Sequence, residues 1–483
     1  MKAYEALDIS CKLRQAREAK KTLMDAKDRI ESEVDNQEQT IEELKAKQRR
    51  EIATLKLAGG RENYHKVACM LKENVDADTT DIRALYEYAI FAYAQKDFSK
   101  GEEYLLRLLR HEDKHNRIAL LQNQMGTLYY FLHKYDKAKK YYLMALESFT
   151  YLSELDPDAN LSYLESVTTS LAILYTDEGD YEKAEEYYQK SLDIYSRLPD
   201  RDSDDYKIDF ARTLTNIGIF YDSKGDSTKA EEHYLKALEN YSQVSDQDSE
   251  RFKDLMAAVL IDLGSLYQVR GDLAKAEDCL LKAMEYNTSL YEKNPEAYQA
   301  GLAISQLSLG ALYTDIGDYP KAEDYCLKSL ENYTQLFHQD PDAYRSYVAQ
   351  TQSNLGVLYY RTGDSTKAEF YMLKSVRNYF HQFNRYPDVF RTNLCDAYNN
   401  LVSIYVEQKD YDKTMETIEQ AIDLMPEEAD FYESKGEILM KKGDEQGALE
   451  MWQKVMELAP DFLSKNGESS ELYQMLKGRG LLK

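Results

Sequence analysis

The sequence is poor in residues that interrupt helices, because its 483 residues include only 8 Pro and 20 Gly. It also lacks any run of about 18 apolar residues, the length that a membrane-spanning helix requires. Positive charge is in deficit, since 61 basic side chains face 86 acidic ones and the formal net charge is −25. Such a surface repels phosphate and anionic lipid, so neither nucleic acid nor a membrane is expected as a partner.

Cysteine is scarce as well, and the five cysteines form no CxxC pair. An odd number of widely spaced thiols favours reduced cysteines packed inside helices. Cys279 and Cys326 occupy nearly equivalent positions in successive repeats, where we expect small buried apolar groups rather than a redox pair. The first residues, MKAYEALDIS, lack the apolar core of a signal peptide, so we expect a cytoplasmic protein.

What the sequence has instead is a repeated phrase, GDYEKAEEYYQKSL from Gly179, which returns in variant form every 46 residues. The anchor positions are Lys134, Asp180, Asp226, Asp272, Asp318, Asp364 and Asp410. Shorter units around Asp97 and Asp444 flank them, which gives nine units. Self-similarity at a fixed period of this length indicates stacked modules rather than independent globular domains.

Each unit is predicted to be two antiparallel helices, because apolar residues recur at three- and four-residue spacing on both sides of the Gly-Asp turn. Leu214, Ile217 and Tyr221 form such a stripe before the turn, and Ala230 and Tyr234 belong to the one after it. Small residues recur at two fixed places, which predicts close helix contact there. Prolines at 157, 295, 341 and 387 predict the loops between units, with helices of about 18 residues on either side.

These residues resemble the tetratricopeptide repeat family, with Leu, Gly and Tyr in the first helix and Ala, an aromatic and Ala in the second. The lengthened units are similar to those of kinesin light chain and of bacterial arrays. The resemblance covers residues 82–464, taken as an array of about nine repeats, and implies an all-α, right-handed superhelical solenoid of antiparallel helix pairs. It also implies binding of proteins or peptides on a concave surface that the first helices line.

The two ends of the chain are predicted to differ from the array. Residues 1–58 contain no Pro or Gly and carry a loose heptad seam, which predicts a long helix or coiled coil. That seam must be covered by a second copy of the chain in a homodimer, by folding back, or by a partner's helix. Residues 61–81 are predicted to be a capping helix and linker, and residues 465–483 a C-terminal capping helix.

No catalytic motif is present: the sequence has no GxGxxG, Walker loop, HExxH or GxSxG pattern. His111 and His115 share a helix face, but no third ligand lies near in sequence, so no metal site and no cofactor is expected. The recurring tyrosines are interpreted as core. Carboxylate pairs such as Glu185 and Glu186 are interpreted as solvated charge on the second helices.

The residues that face the predicted groove vary from repeat to repeat, whereas the core positions recur. The partner-binding candidates are Asn123, Arg212, Asn216, Gln350, Asn354, Arg361, Asn399 and Asn400. In the resembled family, the positions of Asn216, Asn354 and Asn400 donate an amide to a ligand's backbone. Gln124, Ser170, Asp262 and Ser308 interrupt that series here, and solvated polar residues remain the alternative interpretation.

The sequence therefore predicts a non-enzymatic scaffold or adaptor that holds a protein or peptide in its groove. The alternative is a sensor or regulatory subunit, in which ligand binding changes the pitch of the array and a separately encoded effector responds. In the second hypothesis the N-terminal helix would be the output.

Overall fold

The computed structural model describes residues 69–72, 85, 88–89, 98–111, 115–199, 201–244, 250–460, 462 and 470–479. Within these ranges the chain is α-helical with short turns and contains no strand. The coiled coil predicted for residues 1–58 lies outside the described residues, and of the predicted capping segment 61–81 only residues 69–72 are described, as helix.

The described helices are given in chain order with their bounds. They are α1 (Phe98–His111), α2 (His115–Phe131), α3 (Tyr135–Leu155), α4 (Pro157–Asp177), α5 (Tyr181–Tyr195), α6 (Asp204–Ser223), α7 (Ser227–Ser242), α8 (Glu250–Val269), α9 (Leu273–Lys293), α10 (Pro295–Ile316), α11 (Tyr319–Gln339), α12 (Pro341–Arg361), α13 (Ser365–Phe383), α14 (Pro387–Glu407), α15 (Tyr411–Leu424), α16 (Ala429–Lys442), α17 (Glu445–Leu458) and α18 (Glu471–Gly478).

The chain divides into two compact units, Met1–Asp262 (unit 1) and Leu263–Lys483 (unit 2), with the boundary inside α8. In unit 1 the helices pair as α2 with α3, α4 with α5 and α6 with α7. In unit 2 the pairs are α10 with α11, α12 with α13, α14 with α15 and α16 with α17. The first helix of a pair is called helix A below and the second helix B.

Helices A of neighbouring pairs also contact one another. In unit 1 this holds for α2 with α4 and for α4 with α6, and in unit 2 for α10 with α12 and for α12 with α14. Each unit is therefore a row of helix pairs, as the repeat predicts, and not a globule built from distant segments. The chain is an all-α array of the predicted kind.

The turn inside each pair follows from the Gly-Asp dipeptide. The glycines of this turn have φ between 76° and 87°, a region that side chains with a Cβ rarely adopt. The aspartate that follows caps helix B: Oδ1 of Asp180, for example, accepts a hydrogen bond from the amide of Lys183. Two pairs depart from this pattern, because His133 and Lys409 occupy the glycine position with φ of 55° and 58°.

The predicted loops between pairs are also present. Asp156, Asn294 and Asp340 each precede a proline at the first turn of helix A, and each caps that helix through its side chain. Tyr386 precedes Pro387 in the same way but provides no side-chain cap. A proline is compatible with the first turn because its missing N–H would have no partner inside the helix.

The recurring small residues allow helices A and B to approach closely. A Cβ added to Gly218 would stand 2.6 Å from the ring of Tyr234, and one added to Gly310 would stand 2.4 Å from Sγ of Cys326. The facing alanines, such as Ala230 and Ala322, are fully buried. The prediction of close contact at these positions is confirmed.

Candidate binding surface

Most of the recurring tyrosines are structural, and the structure shows which groups hold them. Tyr221 donates to Oε1 of Glu185 at 3.0 Å, and Nζ of Lys229 lies 4.7 Å from its ring centroid. The sequence-based interpretation of Glu185 as ordinary solvated charge is therefore wrong, because this carboxylate joins two successive pairs. Its neighbour Glu186 is solvent-exposed and pairs with Lys190 along the same helix.

The predicted binding residues fall in both units, so each group is considered within its own unit. In unit 2 the candidates belong to helices α10, α12 and α14. We call the set Ser308, Gln350, Asn354, Asp396, Asn399 and Asn400 the A-face of unit 2. These residues occupy helix A positions that are equivalent or adjacent from one pair to the next.

Gln350 is the most enclosed of these residues, with 5% of its surface exposed. Its Oε1 has no hydrogen-bond partner within the described part of the chain, and the same holds for Oγ of Ser308 and Oδ2 of Asp396. Asn354, Asn399 and Asn400 are half-buried. Three oxygens of the A-face thus have no hydrogen-bond partner within the described part of the chain.

Asp396 was missed by the sequence interpretation, although a signal for it exists. It stands 46 residues after Gln350, at the equivalent position of the next helix A. Among the A-face residues, Asn399 has a partner, since its Nδ2 lies 3.6 Å from Sγ of Cys395.

Arg361, also predicted to contact a partner, is engaged within unit 2. Its guanidinium lies 3.0 Å from Oδ1 of Asp315 and donates to the carbonyl of Thr314 at 3.0 Å. Gln268 donates to the other carboxylate oxygen of Asp315 at 2.6 Å. Arg361 therefore links α12 to α10, which leaves it as a contributor to the rim of the A-face rather than a free ligand contact.

In unit 1 the three candidates lie on α2 and α6. Asn123 is half-buried, and its Oδ1 has no hydrogen-bond partner among the residues described. Arg212 forms an ion pair of 3.0 Å with Asp209, one turn earlier on α6. Asn216 is buried, with 5% of its surface exposed. Of the three, only Asn123 presents an unsatisfied acceptor.

Unit 1 also contains a buried carboxylate that sequence reasoning did not single out. Glu165 accepts hydrogen bonds from Thr169 at 2.6 Å, Ser191 at 2.8 Å and Thr213 at 3.2 Å. Burial raises the pKa of Glu165, while the hydrogen bonds from Thr169 and Ser191 oppose that rise. Alanine stands at the equivalent position of most other pairs, for instance Ala211, so a repeat comparison provides the signal.

The candidate chemistry elsewhere is structural. Cys279, Cys326 and Cys395 are free and buried, and burial raises the pKa of Cys279 to about 11 and that of the other two to about 12. These are packed thiols, as the sequence predicts. Across the described ranges no group of three or more His, Cys, Asp or Glu side chains could hold a metal ion.

No helix that the structure describes combines the length and apolarity needed to cross a membrane.

The comparisons with known proteins identify the repeats. A tetratricopeptide repeat model matches residues 163–243, 255–335 and 301–379, and a second tetratricopeptide repeat model matches residues 396–428. Residues 163–428 therefore contain tetratricopeptide repeats. This fold is in general a non-catalytic one that serves protein–protein interaction, so the repeats imply an interaction scaffold.

Solved structures with similar chains include three of different kinds. BtubC (BKLC) from P. vanneervenii is 24% identical over 50% of this chain and 90% of its own, with a TM-score of 0.43. A signal transduction ATPase with a tetratricopeptide repeat sensor, from Pyrococcus horikoshii, is 18% identical over 82% of this chain and 54% of its own, with a TM-score of 0.48. The Cut9–Hcn1 structure of the APC/C is 15% identical over 85% of this chain and 87% of its own, with a TM-score of 0.36. No curated protein shows significant similarity to the chain.

Proposed function

We propose that the chain is a non-enzymatic scaffold whose helices A hold an extended segment of a protein partner. The A-face of unit 2 is the principal site, with Gln350, Asn354 and Asn400 as the contacting amides. Asn123, Arg212 and Asn216 form the corresponding set in unit 1. The partner is a protein or peptide, and not a nucleic acid or a lipid surface, because the chain carries a net charge of −25.

The observation that carries this proposal is the buried Oε1 of Gln350, which has no donor within the described residues. A buried acceptor without a partner costs roughly 1–3 kcal/mol, so a chain retains it at a site where a ligand supplies the donor. The backbone N–H groups of an extended peptide are such donors. The half-buried Asn354 and Asn400 nearby offer both a donor and an acceptor, which suits a peptide backbone irrespective of its side chains.

The remaining parts of the sequence prediction belong to the same proposal. Residues 1–58 pair two copies of the chain through their heptad seam, and the protein works in the cytoplasm. Light scattering tests the first point, because deleting residues 1–58 should lower the measured mass from that of a dimer to that of a monomer of the shortened chain. An unchanged mass would contradict it.

The test of the main proposal begins with a tagged full-length chain, used to recover a partner from the native host. Binding of the purified partner is then measured for the variant Gln350→Ala with Asn354→Ala and Asn400→Ala. The matched control removes three exposed amides from helices B of unit 2, with Gln339→Ala, Gln420→Ala and Gln453→Ala. We expect at least a tenfold rise in Kd for the A-face variant and less than a twofold change for the control.

Equal binding by the A-face variant and the unmodified chain would contradict the site. Circular dichroism shows whether each variant keeps its helices.

The regulatory alternative differs in what binding does to the array. Small-angle scattering with and without the purified partner separates the two functions: an unchanged radius of gyration of the chain supports the scaffold, and a changed one supports the sensor.

A further inference from the structure

One helix B of unit 2, α13, has a solvent-exposed face of unusual composition. Six of its exposed side chains recur at spacings of three and four residues, which places them on one side of the helix. We call this set the α13 face: Phe370, Leu373, Lys374, Arg377, Phe380 and His381. Phe370, Leu373 and Phe380 are 50%, 45% and 37% exposed, so they are not part of the core. The α13 face is therefore both apolar and basic, and it runs for roughly 16 Å along the helix.

Comparison of the repeats shows that this composition is an exception. The positions of Phe370 and Arg377 both hold carboxylates in each of the other helices B of unit 2. These carboxylates are Asp324 and Glu331 on α11, Glu416 and Asp423 on α15, and Glu450 and Glu457 on α17. Moreover, residues 370–387 contain no Asp or Glu, although the chain has 86. Because the other pairs of the unit fold with acids at both positions, the packing of a pair does not require Phe370 and Arg377.

The lysine of the α13 face lacks the carboxylate that its counterpart on α11 has. There, Nζ of Lys328 lies 2.7 Å from Asp324, one turn earlier on the same helix. On α13 the ring of Phe370 replaces that carboxylate, and Nζ of Lys374 lies 4.1 Å from the ring centroid. Within the described part of the chain, neither Lys374 nor Arg377 forms an ion pair. No neighbouring carboxylate therefore neutralises the two cations of the face.

The charges on the neighbouring pairs indicate which ligand fits the α13 face. Helices α11 and α13 both pack against α12, and α13 and α15 both pack against α14. The exposed acids of α11 and α15 therefore belong to the adjacent pairs of the row. An anionic membrane or a nucleic acid is a large surface and would meet these acids together with the α13 face. A single acidic segment that lies along α13 meets only the basic and apolar groups.

We propose that the α13 face binds an acidic amphipathic segment of a partner protein. Carboxylates of the segment pair with Lys374 and Arg377. Its apolar side chains cover Phe370, Leu373 and Phe380, which removes the exposed surface of these residues from water. Apolar burial supplies affinity, and the two cations select an acidic ligand. Because the surface lies on a helix B, this inference goes beyond the A-face and does not depend on it.

The probe is a fluorescein-labelled peptide, ELLEELLEELLEEL, whose spacing of Glu and Leu gives an acidic amphipathic helix. Its anisotropy is measured with the full-length chain at pH 7 in 0.15 M NaCl. The test variant combines Phe370→Glu and Arg377→Glu, which gives α13 acids at the positions where the other helices B of unit 2 have them. The matched control combines Leu281→Glu and Lys282→Glu on α9. Both variants remove one exposed apolar and one exposed basic side chain, and both change the net charge equally.

We expect the probe to bind the unmodified chain with a saturable curve, the test variant to raise its Kd at least tenfold, and the control to change it less than twofold. Labelled octaglutamate, which has the charge without the apolar groups, should bind at least tenfold more weakly than the probe. Circular dichroism should show unchanged helix content in the test variant, because the other helices B carry the same acids. Equal weakening by both variants, or no saturable binding by the unmodified chain, would overturn the proposal.

Two further measurements distinguish other occupants of the α13 face. Phosphatidylserine vesicles that sediment with the unmodified chain but not with the test variant would assign the face to a membrane and refute the proposal. Residues 31–43 hold six acids and no basic residue, so this segment of the chain is an alternative ligand. Probe binding that appears only after residues 1–58 are deleted would show that the chain covers its own face, which also refutes the proposal. The A-face variant should bind the probe normally, because the two surfaces share no residue.

Discussion

The hydroxyl group of Tyr313 on α10 donates a hydrogen bond of 2.7 Å to Oε1 of Glu277 on α9, the preceding helix. Nζ of Lys321 stands 4.5 Å from the centroid of the same ring. Glu277 and Lys321 are both supplied by the recurring KAE phrase. One phrase therefore places a lysine over the tyrosine of its own pair and a carboxylate at the tyrosine of the next pair.

We expect Tyr313→Phe to lower the free energy of unfolding by about 1.5–3 kcal/mol, the usual contribution of a hydrogen bond to a charged acceptor. Urea unfolding followed by circular dichroism measures it. Tyr175→Phe is the matched control, because Lys139 stands at the position that Glu185, Glu231, Glu277, Glu323 and Glu369 occupy in later repeats. An effect of Tyr175→Phe as large as that of Tyr313→Phe would show that the hydroxyl contributes in some other way.

The two pairs without glycine in the turn allow a stabilising substitution. Lys409 adopts φ of 58°, a conformation that costs a residue with a Cβ about 1–2 kcal/mol. Glycine loses more conformational entropy on folding than lysine does, and this loss offsets part of the relieved strain. Lys409→Gly should therefore raise the free energy of unfolding by roughly 0.5–1 kcal/mol. The reverse change, Gly363→Ala at φ of 79°, should lower it. Equal stability of Lys409→Gly and the unmodified chain would argue against strain at this turn.

The buried Glu165 predicts a dependence of stability on pH. Burial raises the pKa of Glu165 in the folded state above its ordinary value of 4.5. At a pH between 4.5 and this raised pKa, the carboxyl group therefore takes up a proton when the chain folds. The stabilising effect of that proton is complete below pH 4.5 and is lost as the pH rises from 4.5 to the raised pKa. Glu165→Gln should therefore flatten this part of the profile of unfolding free energy against pH between 4 and 8.

The exposed Glu182→Gln is the control for this measurement. A profile of Glu165→Gln that falls with rising pH as steeply as that of the control would show that another group is responsible.

The sequence predicted the fold more completely than it predicted the binding site. The glycine and proline positions predicted the turns and the loops correctly because these residues act on the backbone within a few positions of themselves. The predicted site was less complete. Gln350 was singled out as a candidate and carries an unpartnered oxygen, but Arg361 also turned out to bridge α12 and α10, and Asp396 was overlooked.

The sequence by itself determined the helix pairs, their period and the close contacts at glycine and alanine, since helical periodicity and turn geometry are local properties. Only the tertiary structure decided which side chains meet across pairs, such as Glu185 with Tyr221 and Glu277 with Tyr313. Those meetings depend on the placement of separate helices, which spacing along one helix does not encode. Burial followed from the same placement, and with it the raised pKa of Glu165.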